Sequence, residues 1–355
     1  MLYITKYEDG SSSFGGMVRV KDIESITRFS EFLTISLKHP FHYSHFINEN
    51  GNKVYIVGLF RTNKLRKIIE KHSSVYFHTV GNFIKLFPYL TCLKNKRKFI
   101  DLHGAQPEEF SYSGNRGLAF LFTFFEKLAF KHCDIFIHVS YKMIKHFEDK
   151  YPFFNRKDLY VPIFSSNINM EGGLDFNKLT VDARQLLNID DSKPIFLYSG
   201  GIQAWQKSNL VVDFAKSVLE SYGRIIILSM QSTFFEERLS EFSNSPYLLI
   251  RSVKPEELST YYIAADYGIM FRDDNTLNVV SSPTKMSEYL YYGMKPVLTS
   301  TNVGDFVDFG IEYMQLTSKL DFSTLKSEKS LVNHKIITER MSSSDKELLM
   351  EYING

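Results

Sequence analysis

Residues 194–230 read PIFLYSGGIQAWQKSNLVVDFAKSVLESYGRIIILSM, and this stretch decides the fold class. Pro194–Tyr198 is a short apolar run that breaks into Ser-Gly-Gly, as a buried strand does on entering a turn. Asn209–Tyr222 then repeats apolar residues at helical spacing, and Arg224–Met230 is a second apolar run. Strand, helix and strand in that order predict a parallel pair joined by a crossover helix.

The alternation continues in both directions. Downstream the pattern predicts helices at Phe234–Ser243 and Pro255–Ala265 and strands at Tyr247–Ile250, Tyr267–Phe271 and Lys295–Thr299. Upstream it predicts an initial strand, then strands at Val54–Leu59, Val75–His78, Lys98–Leu102, Asp134–Val139 and Leu159–Val161. Helical patterns at Val20–Leu37, Arg61–Lys71, Arg116–Lys131 and Tyr141–Lys150 separate them. A chain of 355 residues exceeds one ordinary core. The expected class is therefore α/β, with two Rossmann-like doubly wound domains facing each other across a cleft. Residues 1–168 form the first, 169–335 the second, and 336–355 a C-terminal tail helix able to pack back on the first. The joint is expected near residues 165–192.

Composition narrows the classes. Hydrophobic residues at 44% and charged residues at 23% are globular values, which exclude a disordered chain. Cys92 and Cys133 form no disulfide framework and suit a reducing compartment. The N-terminus lacks the build of a signal peptide, and the most apolar run, Gly117–Phe125, is half the length of a membrane span. Charge is uneven: residues 1–170 hold 24 Lys and Arg against 15 Asp and Glu, and the remainder 18 against 25. The basic half suits either a solvated face or an anionic partner. Lys94, Lys96, Arg97 and Lys98 follow the apolar Phe83–Leu90 stretch, which favours an anionic membrane surface. Nucleic acid is not expected, because no nucleic-acid-binding motif accompanies the charge.

Three stretches carry candidate chemistry. Residues 281–297, SSPTKMSEYLYYGMKPV, read as a short helix with Ser282 as N-cap, Pro283 as first helical residue and Gly293 as C-terminal stop. Thr284 and Lys285 fall in its first turn and Glu288 one turn later on the same face. A helix N-terminus with a lysine suits a phosphate, and a carboxylate one turn on can accept ribose hydroxyls. The same residues also suit a capped helix with a surface Lys285–Glu288 pair. The loop 198–207, YSGGIQAWQK, offers Gly200 and Gly201 for close backbone approach and Lys207 as a cation; Trp205 reads as loop or core. In the first half, Gly15 and Gly16 form a glycine loop, and Asp101, His103, Glu108 and Glu109 follow a strand's carboxyl end. The histidines at 39, 42 and 45 lack companions in ligand register, so no metal site is expected.

Taken in order, these motifs resemble bacterial family-4 glycosyltransferases of the GT-B fold, in the polysaccharide-biosynthesis form. The resemblance covers nearly the whole chain: the Gly15-Gly16 loop, DLHGAQPEE, CDIFIHVS, VPIF, YSGGIQAWQK and residues 253–297. It implies that Gly201, Trp205, Lys207, Arg272, Asn278, Ser282, Pro283, Thr284, Lys285 and Glu288 bind the donor. Glu288 matches the second of the family's paired glutamates; where the first would fall stands Val280, and Ile202 replaces a common Arg. His103 resembles the family's histidine near the transferred sugar, with Asp101 and Glu109 as catalytic companions.

The resemblance implies a retaining, metal-independent transfer of a sugar from a UDP- or GDP-sugar, with no cofactor beyond that substrate. The implied acceptor is a lipid-linked oligosaccharide or a growing capsule, exopolysaccharide or O-antigen chain. The implied location is the cytoplasm, peripherally on the inner face of the plasma membrane. Two alternatives remain at this point: a sugar-nucleotide 2-epimerase and a non-catalytic GT-B partner of another transferase.

Overall fold

The computed structural model describes residues 1–7, 15–27, 31–164, 168, 175–221, 223–316 and 322–354. They divide into two compact units. The first comprises Met1–Ile163, Val279–Ser282 and Ser344–Gly355, and the second Phe164–Asn278 and Pro283–Ser343.

The first unit is an eight-stranded sheet in the order β3-β4-β2-β1-β5-β6-β7-β8. Its strands are β1 (Leu2–Ile4), β2 (Glu31–Ser36), β3 (Tyr43–Ile47), β4 (Lys53–Gly58), β5 (Ser74–His78), β6 (Arg97–Leu102), β7 (Ile135–His138) and β8 (Lys157–Tyr160). All pairs are parallel except the edge pair β3–β4. Helices α1 (Gly15–Thr27), α2 (Thr62–Glu70), α3 (Val80–Leu86), α4 (Gln106–Tyr112), α5 (Arg116–His132) and α6 (Tyr141–Lys150) connect them. The expected helix over Val20–Leu37 is corrected here: α1 ends at Thr27 and Glu31–Ser36 is a strand. Phe32 and Leu33 are adjacent and both fully buried, so the segment is covered on two faces and its spacing mimics a helix. His45 lies on β3, and His42 pairs with Ser44 at 2.8 Å.

The second unit is a six-stranded, wholly parallel sheet in the order β11-β10-β9-β12-β13-β14. Its strands are β9 (Ile195–Ser199), β10 (Arg224–Leu228), β11 (Leu248–Arg251), β12 (Tyr267–Met270), β13 (Lys295–Leu298) and β14 (Met314–Gln315). Its helices are α7 (Phe176–Leu186), α8 (Ser208–Glu220), α9 (Ser232–Arg238), α10 (Leu258–Ala264), α11 (Thr276–Val280, its end counted with the first unit), α12 (Thr284–Tyr291) and α13 (Leu331–Ser342). The stretch expected to be a joint therefore contains a helix, α7. The last helix, α14 (Lys346–Asn354), belongs to the first unit, where Leu349 joins the core with Val20 and Ile23 of α1.

Strand β9 shows why continuous apolar runs mark this sheet. Ile195 and Leu197 enter one core with Met286 and Tyr289, while Phe196 and Tyr198 enter the opposite core with Val211 and Phe235. Both faces are buried, so no polar alternation survives.

Helix α12 ends as its sequence requires. Gly293 sits at φ +67°, its N–H bonds the Leu290 carbonyl at 3.0 Å, and the Met294 N–H bonds that of Tyr289 at 2.9 Å. This paired closure needs a residue tolerant of the left-handed region. The start differs from expectation. Pro283, not Ser282, occupies the N-cap position, and no side chain caps the helix. Proline has fixed φ and no hydroxyl, so the first-turn amides are left uncapped by any side chain.

Gly268 on β12 has a packing reason. A Cβ there would lie 2.3 Å from the Tyr289 ring, which crosses the sheet at that point. Gly268→Ala is expected to destabilise the second unit by about 1–3 kcal/mol through overpacking. Thermal unfolding followed by tyrosine fluorescence checks this; an unchanged transition would contradict the packing.

Candidate functional site

In the second unit, the candidate donor residues converge on the ends of β9 and β12 and the first turns of α12. Glu288 is 5% exposed and accepts a hydrogen bond from the Tyr262 hydroxyl at 2.9 Å. The Ser199 hydroxyl lies 3.0 Å from the same Tyr262 oxygen, and the Ser199 N–H donates to the Tyr289 hydroxyl at 3.1 Å. Two buried tyrosines thus tie the last residue of β9 to α12. The alternative of a surface Lys285–Glu288 pair does not hold, because Glu288 is buried. Lys285 makes neither a hydrogen bond nor an ion pair among the described residues. Burial, with the Arg272 charge adding and Glu288 opposing, lowers its ammonium to about 8. A cation held in that state gains from an arriving anion.

The 198–207 loop is ordered from within. The Gln206 side-chain oxygen accepts from the Gly201 N–H at 2.9 Å, and the Tyr198 hydroxyl lies 2.6 Å from the Gly201 carbonyl oxygen. Trp205 is 50% exposed, which overturns the core reading of that residue. Lys207 adopts φ +50° at the N-cap of α8 and ion-pairs with Asp273. A non-glycine residue in that region is uncommon and collects at functional sites. Arg272 donates to the Trp205 carbonyl at 2.9 Å, and burial lowers its pKa. Lys207, Arg272, Asp273, Thr299, Ser300 and Gln315 are among the residues lining a cavity of about 290 Å³. Asn278 serves the loop itself: its side-chain amide donates to the Asp273 carbonyl at 2.7 Å.

In the first unit, Asp101, His103, Gly104 and Glu109 line a small cavity of about 70 Å³ with Thr79 and Gln106. Asp101 is fully buried and takes a bidentate bond from Arg19 at 2.8 and 3.0 Å and another from the Tyr76 hydroxyl at 2.9 Å. Burial alone would raise its carboxyl, but the Arg19 charge overrides this and holds it far below the usual range. A carboxylate so committed positions its neighbours and exchanges no proton. His103 lies 3.9 Å from Asp101 and stacks on His78, with ring centroids 4.7 Å apart. The Glu109 carboxylate folds over Gly104, where a Cβ would lie 2.4 Å from Oε1. Burial raises that carboxyl against the opposing pull of His103. Glu108 points elsewhere: Lys150 donates to it at 2.8 Å, and the His146 ring nitrogen lies 3.3 Å away.

Sequence reasoning missed His78, Thr79 and Gln106. Thr79 adopts φ +85°, rare for a β-branched residue, and its N–H donates to the Asp101 carbonyl at 3.2 Å. The strand-end position just before α3 was the available signal. Gly15 and Gly16 open α1 instead of forming a loop, and residues 11–14 lie outside the described residues. Part of the basic cluster is engaged by the fold. Lys96 donates to the His72 carbonyl, Arg97 to that of Tyr352 at 2.6 Å, and Lys98 pairs with Asp134 at 3.0 Å. These three cations brace the fold, and among the described residues Lys94, which is exposed, makes no such contact. Among the described residues no cluster of three or more His, Cys, Asp or Glu side chains is arranged to hold a metal ion, and no helix is long and apolar enough to cross a membrane.

Acid stability tests the first-unit network. Burial alone would raise Glu108, but the neighbouring His146 and Lys150 hold it down to about 2. Both Asp101 and Glu108 have folded pKa values below their unfolded values near 4. Their stabilisation is therefore complete above that pH and is lost as pH falls toward 2. Glu108→Gln should flatten this dependence, read as the unfolding midpoint between pH 5 and 2; an unchanged slope would contradict the assignment.

No protein-family model matches the chain, and no curated protein sequence matches it. Among solved structures, it matches the catalytic domain of starch synthase IV from Arabidopsis thaliana bound to ADP and acarbose, at 12% identity and a TM-score of 0.63, covering 99% of this chain and 97% of that one. Sucrose-phosphate synthase from Thermosynechococcus elongatus matches at 14% identity and 0.62, covering 99% and 97%. The trehalose-6-phosphate structure from E. coli bound with UDP-2-fluoro glucose matches at 10% and 0.61, covering 99% and 98%. At such identities the likeness establishes the fold: two parallel-sheet, Rossmann-like units matching GT-B glycosyltransferase structures.

Proposed function

We propose that the chain is a glycosyltransferase that moves a sugar from a nucleotide-diphosphate donor, with the second unit as the donor site. The observation that carries this reading is the buried Glu288 one turn from Lys285, which has no hydrogen-bond or ion-pair partner among the described residues, at a helix start that no side chain caps. An uncapped N-terminus and a lysine suit the diphosphate, and Glu288 suits the ribose hydroxyls. Lys207 and Arg272 line the neighbouring cavity and add positive charge for the leaving phosphate. Lys207 would exchange its Asp273 contact for a phosphate. That the neighbours named above are bound to ADP and to a UDP-sugar supports the nucleotide as ligand.

The finer reading is a bacterial family-4 enzyme of the polysaccharide-biosynthesis type, working on a lipid-linked or growing glycan at the inner membrane face. Retention of the anomeric configuration follows if the leaving phosphate takes the acceptor proton. His103 and Glu109 would then serve the acceptor and the transferred sugar, with Asp101 orienting His103. The cations named here would neutralise the diphosphate without a metal. One observation favours a second reading, a non-catalytic GT-B partner. Val280, where a first glutamate would fall, is 2% exposed and its carbonyl accepts from Ser140, so this position offers the sugar no side-chain acceptor. Donor turnover separates the two: release of free nucleotide diphosphate supports the enzyme, and binding without turnover supports the partner.

Glu288→Gln keeps an acceptor for Tyr262 but loses the charge, and should weaken a UDP- or GDP-sugar about 10–100-fold in calorimetry. Unchanged affinity would end the donor-site reading. A pH titration tests Lys285 independently. Its ammonium is lowered to about 8 in the free protein, so affinity should fall as pH rises through 8 and binding there should take up a proton. Lys285→Arg should bind without that decline. A wild-type affinity flat from pH 7 to 9 would contradict the role.

A further inference from the structure

Helix α5 is turned the wrong way round for a surface helix. It buries Ala119, Glu126, Ala129 and Phe130, while Phe120 is 78%, Phe124 52% and Leu121 43% exposed. At 100° per residue the three exposed side chains share one stripe. The opposite side of α5 is fixed, since Phe122 packs on Phe110 at 4.7 Å and Phe125 on Phe87 at 5.2 Å. Loose packing therefore does not account for the outward aromatics.

The charges on α5 say what covers this stripe. Its one carboxylate, Glu126, is buried and paired with Lys150, whereas Arg116, Lys127 and Lys131 are exposed. Every solvent-facing charge of the helix is positive. A second copy of the chain across a twofold axis would bring these like charges together. An anionic bilayer meets both halves of the pattern, because apolar insertion and electrostatic attraction act together at a lipid interface. Behind the stripe, α5 packs on α3 and α4, which begin at the cavity-lining Val80 and Gln106.

We propose that the outward face of α5 docks on an anionic lipid surface, with Phe120, Leu121 and Phe124 entering the acyl boundary and Arg116, Lys127 and Lys131 meeting headgroups. This moves the membrane contact away from residues 94–98. It deepens the lipid-linked acceptor reading and rests on it for its purpose, although lipid binding and nucleotide binding are measured separately and either can fail alone.

The test is co-sedimentation of the full chain with vesicles of equal phosphatidylglycerol and phosphatidylcholine, against vesicles of phosphatidylcholine alone. The wild type should prefer the anionic vesicles about tenfold or more. Phe120→Ser/Phe124→Ser and Lys127→Gln/Lys131→Gln should each lower that binding about tenfold or more, with unchanged melting and unchanged UDP-sugar affinity. Lys94→Ser should bind as the wild type does. Equal pelleting of the phenylalanine variant, or a wild-type dimer in sedimentation velocity that this variant dissolves, would overturn the proposal.

Discussion

The hydrogen bond from Tyr262 to Glu288 is the contact on which the candidate donor site depends. A carboxylate at 5% exposure is costly unless its oxygens find donors, and the Tyr262 hydroxyl supplies one at 2.9 Å. The same hydroxyl lies beside Ser199, whose N–H is taken by Tyr289. The end of β9 and the helix α12 are thereby fixed to each other. Gly268 belongs to the same arrangement, because any side chain there would displace the Tyr289 ring. The candidate site is thus held in place by two buried tyrosines, the preorganisation that a binding helix would require.

The first unit solves a related problem with charge. Arg19 and Asp101 form a buried bidentate pair, and Tyr76 fills a further acceptor position on the carboxylate. Removing one partner would leave a buried charge, so the pair is rigid whatever its net contribution to stability. Around it stand His103, the stacked His78 and Thr79 with its positive φ. Each unit therefore has a non-glycine residue in the left-handed region beside its cavity, Thr79 in one and Lys207 in the other. Strain persists only where surrounding structure fixes it, and two of the three such residues among those described lie beside these cavities, the third, Asn188, following α7.

The second sheet was legible in the sequence because it is buried on both faces, which writes runs such as RIIIL without polar interruption. The crossover helices and the glycine stop of α12 were legible for equally local reasons. What local pattern misread was decided by tertiary pairing. Glu31–Ser36 passes for a helix until β4 and β1 flank it, and β3 is an edge strand with little apolar signal. In the candidate site, Lys285, Glu288 and Lys207 stood out from residue type and position alone. Tyr262 did not, since its hydroxyl reaches across 26 residues, and neither did the commitment of Asp101 to Arg19 across 82. The contacts of the basic cluster were hidden for the same reason: charge is visible in sequence, but the carbonyls and Asp134 that engage it are not.

The proposed donor places a nucleotide diphosphate at the helix start and the glycine loop of the second unit. Hydrogen exchange of the full chain with and without a saturating UDP- or GDP-sugar measures this most directly. Exchange should slow at residues 199–207 and 272–288 alone, the loop and the first turns of α12. Protection centred elsewhere, or none at a concentration where binding is seen by calorimetry, would contradict this placement.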